Sequence, residues 1–173
     1  MSAGLQTAPV RAALWPPGQR GGEDVYAVLD GARDPRIEML AGLLGLDHAC
    51  LYADPVGPQL RSVAPFLVRL EPGRKSVDDL LDLAWGNAWG IFAIVPPGTD
   101  MRRLTLHFRR LLRVLDEAGN VLMFRFYDPR VLRAFIPTCT ADQATELFGP
   151  VRRYVMEGPD DEALTLAPGD AAG

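Results

Sequence analysis

The run Trp89-Gly90-Ile91-Phe92-Ala93-Ile94-Val95 carries no charged side chain, and Pro96-Pro97-Gly98 ends it abruptly. Successive side chains of a strand point to opposite faces, so a run that is apolar at every position asks for cover on both. The feature therefore predicts a buried central strand. Neighbouring strands must flank it, and helices must lie on the two faces of the sheet.

Elements of both kinds are legible around it. Val25–Leu29 is rich in strand formers and ends at Asp30-Gly31, Ala49–Tyr52 closes at Asp54-Pro55, and Phe66–Leu70 closes at Pro72-Gly73. Turn residues at the end of each β-prone run are what strands require. Val121–Tyr127, after Gly119-Asn120, reads as a strand throughout, and Val151–Met156 as a last edge strand. Helical spacing appears at Ile37, Leu40, Leu43 and Leu44 behind Pro35. Ser76 with Asp79 reads as a capping arrangement before Leu80, Leu81 and Leu83, and Thr140 with Gln143 as a second, opening a helix that ends near Phe148. Between them, a long helix over about 101–116 places Leu104, Phe108, Leu111, Leu112 and Leu115 on one arc. Asp128 and Pro129 suit the cap and first position of another helix.

Strands alternating with helices predict an α/β fold. The expectation is a single domain over residues 23–157, with a mixed, mostly buried β-sheet flanked by helices. Two short strands in succession, near 50 and 66, favour a mixed over a purely parallel sheet. Residues 1–22, rich in proline and glycine, are expected to form a flexible N-terminal arm that Trp15 anchors. Residues 158–173 are expected to form a flexible acidic tail.

Charge narrows the partners. Residues 1–100 hold eight basic and twelve acidic side chains, residues 101–156 ten and five, and residues 157–173 none and five. The middle block is thus +5 and the tail −5, on a chain of net charge −4. A basic zone on an acidic protein fits a protein partner better than nucleic acid, which calls for a strongly basic domain. No apolar run approaches the ~18 residues of a membrane span, and residues 1–20 show no secretory pattern. Cys50 and Cys139, far apart, form no disulfide or zinc signature. A reducing cytoplasm is the expected location.

Groups for catalysis are sparse. His48 and Cys50 share a strand face, but no third residue is placed to orient them as a nucleophile pair. Asp30 and Asp128 each end an apolar strand, where a metal-dependent hydrolase or nuclease would place carboxylates. Their plainer uses are a turn and a helix cap. No glycine pattern for a nucleotide phosphate is present, and neither a cofactor nor a metal is expected. Arg125 sits among Met123, Phe124 and Phe126, where a charge needs a partner or water. It either faces solvent across an open sheet face or pairs with a carboxylate, for which Asp30 leads. Arg102, Arg103, Arg109, Arg110 and Arg113 share the arc of the long helix opposite its leucines. A solvated face is the plainer reading of that arc, and a partner-binding surface is the alternative.

The segment Phe124-Arg-Phe-Tyr-Asp-Pro-Arg-Val-Leu132 resembles the most specific stretch, "lfRfyDPRvl", of the type VI secretion effector-adaptor family. Tyr26–Ala32, Cys50–Tyr52, Ala64–Leu70, Trp89–Ile91 and Leu147–Pro150 resemble its other marks in order, over about residues 25 to 155. The resemblance implies an adaptor or chaperone without enzymatic activity. Its partners would be a cognate toxic effector and the secretion spike protein, and it would itself stay in the producing cell. Within the motifs, Asp30, Arg125, Tyr127, Asp128, Pro129 and Arg130 are implied as structural residues. Many members carry a further helical lobe after this one. The effector is therefore expected to meet this lobe alone, its arms, or a second subunit. An oligomeric scaffold without an effector is a further alternative.

Overall fold

A computed structural model describes residues 6–18 and 22–171. Its elements in chain order are α1 (Ala8–Leu14), β1 (Asp24–Asp30), α2 (Ile37–Leu43), β2 (His48–Cys50), α3 (Pro58–Arg61) and β3 (Pro65–Leu70). There follow α4 (Lys75–Ala84), β4 (Gly90–Val95), α5 (Met101–Leu111), β5 (Arg113–Leu115) and β6 (Val121–Met123). The last are α6 (Pro129–Phe135), α7 (Ala141–Phe148), β7 (Arg153–Glu157) and β8 (Ala163–Leu166).

Six strands form one sheet in the order β2-β3-β1-β4-β7-β8. The strand with uniformly apolar residues, β4, lies inside it between β1 and β7, with all six of its residues buried. Alternation on β1 separates the two cores. Val25, Ala27 and Leu29 join Val10, Leu14, Ile37, Val77, Leu80 and Leu81 beneath α1, α2 and α4. Tyr26 and Val28 face the other way, into a core with Leu104, Phe108, Leu132, Leu147 and Phe148 from α5, α6 and α7. The result is an α/β domain of three layers, helices on both faces of the sheet, as the β4 run requires. Close approach fixes Gly90: a Cβ there would lie 2.0 Å from the Val28 carbonyl oxygen on the paired strand.

Several expectations are corrected. Every strand pairing is antiparallel, so the sheet is not mixed in direction. Strand β7 is interior, because β8 pairs outside it from Tyr154↔Leu166 to Glu157↔Ala163. Helix α4 starts at Lys75 with no side-chain cap; Asp79 instead binds Lys75 at 2.7 Å. Thr140 and Gln143 do form the expected capping box at α7.

The ends, too, differ from the expected arm and tail within their described parts. Val10 and Leu14 of α1 are fully buried under the sheet, and Arg11 reaches Asp78 at 2.5 Å and Asp82 at 3.1 Å on α4. Helix α1 also touches β7 and β8, so the two ends of the chain close the same part of the domain. Prolines and glycines around a short amphipathic helix hid its periodicity, and Leu164 and Leu166 stand in an acidic setting that masks a strand.

Candidate partner-binding site

The segment 124–130 is a latch and not the end of a strand. Strand β6 stops at Met123, and the chain then turns, with the Asp128 N–H donating to the Arg125 carbonyl at 3.0 Å. Phe126 and Tyr127 drop into the core of α5, α6 and α7, and Phe126 stacks on Phe108 with centroids 5.4 Å apart. The Arg125 guanidinium binds the Asp30 carboxylate and lies 5.9 Å from the centre of the Tyr127 ring. Asp30 is 1% exposed and Arg125 47%. Asp30 also accepts the Ala32 N–H at 3.0 Å. The pairing of Arg125 with Asp30 is therefore present, at the rim and not in the middle of a sheet. Burial works against the charge on Arg125, but its hydrogen bond to Asp30 prevails and raises its pKa.

Asp128 caps α6 by accepting the Arg130 N–H at 2.9 Å, and binds the Arg130 side chain at 2.9 and 2.6 Å. Burial raises its pKa, but the Arg130 hydrogen bonds bring it below the usual aspartate value. Pro129 is buried at the first turn. Asp34-Pro35-Arg36 repeats this device: Asp34 accepts the Arg36 N–H at 2.9 Å and grips its guanidinium at 2.6 Å. The repeat of the three letters Asp-Pro-Arg was visible in the sequence and is explained by this shared local geometry. Burial pushes the Tyr127 hydroxyl pKa far up. These residues act together to fix where the chain runs between β6 and α6.

What the latch positions is a hairpin. Helix α5 ends at Leu111, and Arg113–Leu115 pairs with Val121–Met123 in a separate two-stranded sheet. The Asp116 carboxylate builds the turn, accepting the N–H groups of Ala118 and Asn120 at 2.9 and 2.8 Å. Leu115 continues the leucine arc of α5, which is why the sequence reads as one longer helix there. Val114, Leu115, Val121, Leu122 and Met123 are between 39% and 71% exposed. Sequence reasoning missed this surface; its signal was Val121-Leu122-Met123 against Arg113-Val114-Leu115 across a Gly119-Asn120 turn.

The five arginines divide. Arg109 is half-buried and donates to the carbonyls of Cys50 and Tyr52 at 3.1 and 3.2 Å, fastening α5 to the end of β2. Its guanidinium is engaged by backbone carbonyls, and the other four are exposed. Arg102, Arg103 and Arg110 are exposed on α5, and Arg113 is exposed on β5. Among the described residues, none of these four is in an ion pair; the paired arginines lie elsewhere. Three depressions run along this side. The first, about 490 Å³, is lined by Arg102, Arg103, Leu106 and Arg110. The second, about 440 Å³, lies between the hairpin and Phe124 and Phe135, and shares Arg110. The third, about 480 Å³, lies between the hairpin and Leu51 and Leu60, and has Arg113 in common with the second.

The remaining candidates are accounted for locally. His48 and Cys50 do share a face of β2. However, His48 bonds the Leu46 carbonyl at 2.9 Å, and burial raises the Cys50 thiol pKa, which disfavours a reactive thiolate. His107 is pressed against Gly149 and lies 3.2 Å from the Leu147 carbonyl; burial lowers its pKa. Asp30 and Asp128 are each engaged by a guanidinium, and among the described residues no three His, Cys, Asp or Glu side chains converge as metal ligands would. Among the described residues, too, no helix is long and apolar enough to cross a membrane.

Fold and site together define a three-layer antiparallel α/β domain that presents an apolar hairpin beside a basic helix face. Residues 25–146 match the family described as Domain of unknown function (DUF4123), and the chain belongs to it. The match runs from β1 into α7 and takes in both the latch and the hairpin. No curated protein and no solved structure matches the chain.

Proposed function

We propose that this protein is a non-enzymatic adaptor of a bacterial type VI secretion system. It acts in the cytoplasm, binds a toxic effector and helps load it onto the spike protein. The observation that carries the proposal is the hairpin Arg113–Met123, whose five large apolar side chains stand in water. Large apolar side chains exposed together on one hairpin beside charged residues mark an interaction surface. The resemblance of Phe124–Leu132 and the five other motifs names the kind of partner.

The engagement of Asp30 by Arg125 and of Asp128 by Arg130 also favours binding over metal-assisted hydrolysis. A catalytic metal needs carboxylates free to converge on it. Here each is committed to holding the backbone.

The test is co-expression of the chain with any toxin-like and spike proteins that neighbouring genes encode, followed by affinity purification. The proposal expects a stable complex with the toxin-like protein, and delivery of that toxin to be lost when the adaptor gene is deleted. A chain that binds neither protein, with delivery unchanged by deletion, overturns it.

A further inference from the structure

Resting on the adaptor reading, we infer that the hairpin β5–β6 and the arginines beside it seat an extended segment of the partner protein that carries both apolar and acidic side chains. Among the described residues both outer edges of the two-stranded sheet are unpaired, so each presents N–H and C=O groups to which another strand can add. The register sorts the side chains. Arg113 and Met123 are directly opposed, as are Leu115 and Val121, on one face; Val114 and Leu122 are opposed on the other. An added strand has the same alternation. Its side facing Arg113 also meets Leu115, Val121 and Met123, and its other side meets Val114 and Leu122, so apolar side chains suit both faces and a carboxylate suits the place beside Arg113.

Charge selects this occupant over the others. Arg102, Arg103, Arg110 and Arg113 form a belt that links the three depressions through Arg110 and Arg113. The carboxylates bordering the belt are Asp100 and Glu146, and Asp116 and Glu117 lie at the hairpin turn. Among the described residues none of these carboxylates forms an ion pair with a belt arginine, so the four guanidiniums are open to an acidic segment. A second copy docking by two-fold symmetry would set the same guanidiniums against one another. Nucleic acid would use the arginines and leave Leu115, Val121 and Leu122 exposed.

The test uses a short fluorescent peptide alternating leucine and glutamate, read by anisotropy at low and high salt. The comparison is between the native chain, Arg110→Glu/Arg113→Glu and Val114→Ser/Leu122→Ser. All four positions are exposed, and circular dichroism verifies that the variants fold. The native chain is expected to bind the peptide, and each double variant to bind it about tenfold more weakly or worse. A leucine–lysine peptide is expected to bind only the charge-reversed chain. Failure of the leucine–glutamate peptide to bind the native chain overturns the inference, as does equal binding by the variants. So does a native dimer, seen by light scattering, that Val114→Ser/Leu122→Ser dissolves, because the occupant is then a second copy.

The full-length toxin-like protein separates this failure from that of the adaptor reading. If it binds native and variant chains alike, the adaptor stands and the hairpin is not its seat. If it binds neither while the peptide is held, the surface stands and the effector reading falls.

Discussion

Replacing Arg125 by methionine keeps most of the apolar stem and removes the charge that holds Asp30. Breaking a fully buried pair costs about 3–5 kcal/mol. Arg125 is half-exposed, so water already screens its charge and the full figure does not apply. What remains is the Asp30 carboxylate, 1% exposed and left with the Ala32 N–H at 3.0 Å. A buried acceptor stripped of its main partner costs about 1–3 kcal/mol, more when it is charged. The expected loss is therefore about 2–3 kcal/mol, which lowers Tm by about 4–12 °C in a domain of this size. Differential scanning fluorimetry at pH 7 measures it. The double change Asp30→Asn/Arg125→Met removes the stranded charge and keeps an oxygen for the Ala32 N–H, so it should recover most of the loss. An Arg125→Met chain that melts with the parent, or a double variant no better than the single, refutes the latch.

Further predictions concern the ends and a buried acid. Leu14→Ala, at a fully buried position of α1, should cost about 2–5 kcal/mol in urea unfolding. A chain cut to residues 23–157 should lose cooperative unfolding, since it lacks both α1 and β8; a sharp two-state transition would show that neither closes the core. Burial raises the pKa of Glu157 above the ordinary 4.5, although the N–H groups of Ala88 and Gly86 pull it down. The native carboxyl then holds its proton more tightly than the unfolded one. Its contribution to stability is full below pH 4.5 and is lost as pH rises through the folded value. Glu157→Gln should accordingly be more stable than the parent at pH 7, with the gap closing by pH 4.5. A gap that is absent at pH 7, or that widens in acid, would contradict that sign.

The sheet was legible wherever a strand is apolar on both faces. The middle of β1 and all of β4 are uninterrupted apolar runs, and β3 is broken only by Arg69; each is closed by turn residues. The errors lie where a local pattern fits two structures. Leu112 and Leu115 extend the apolar arc of α5, yet the helix stops at Leu111 because the chain turns into β5. Val121–Tyr127 has strand composition throughout, but Phe126 and Tyr127 are buried by a turn that Asp30 and Asp128 hold from outside the segment. The pairing was legible, but not that it ends the strand and turns the chain. Within the site, the pairing of Arg125 with Asp30 and the capping role of Asp128 were readable, since a charge among aromatic residues needs a partner or water and Asp-Pro begins a helix; the grip of Asp128 on the Arg130 side chain was not. The exposure of Val121, Leu122 and Met123 was not. Apolar residues in a row imply burial, and only the structure puts the hairpin beyond both cores. The arginine arc was legible as an arc, but Arg109 spends its guanidinium on backbone carbonyls that the sequence does not bring near.

The central claim is that this domain acts by holding another protein on the β5–β6 hairpin. Hydrogen–deuterium exchange of the chain alone and with the toxin-like protein proposed as its partner tests this most directly. The outer edges of both strands are unpaired among the described residues, so their amides should exchange fast in the free protein. On binding, protection should concentrate at residues 110–125. Protection confined to α1, α2 and α4, or a hairpin that exchanges as fast in the complex as alone, would contradict the account.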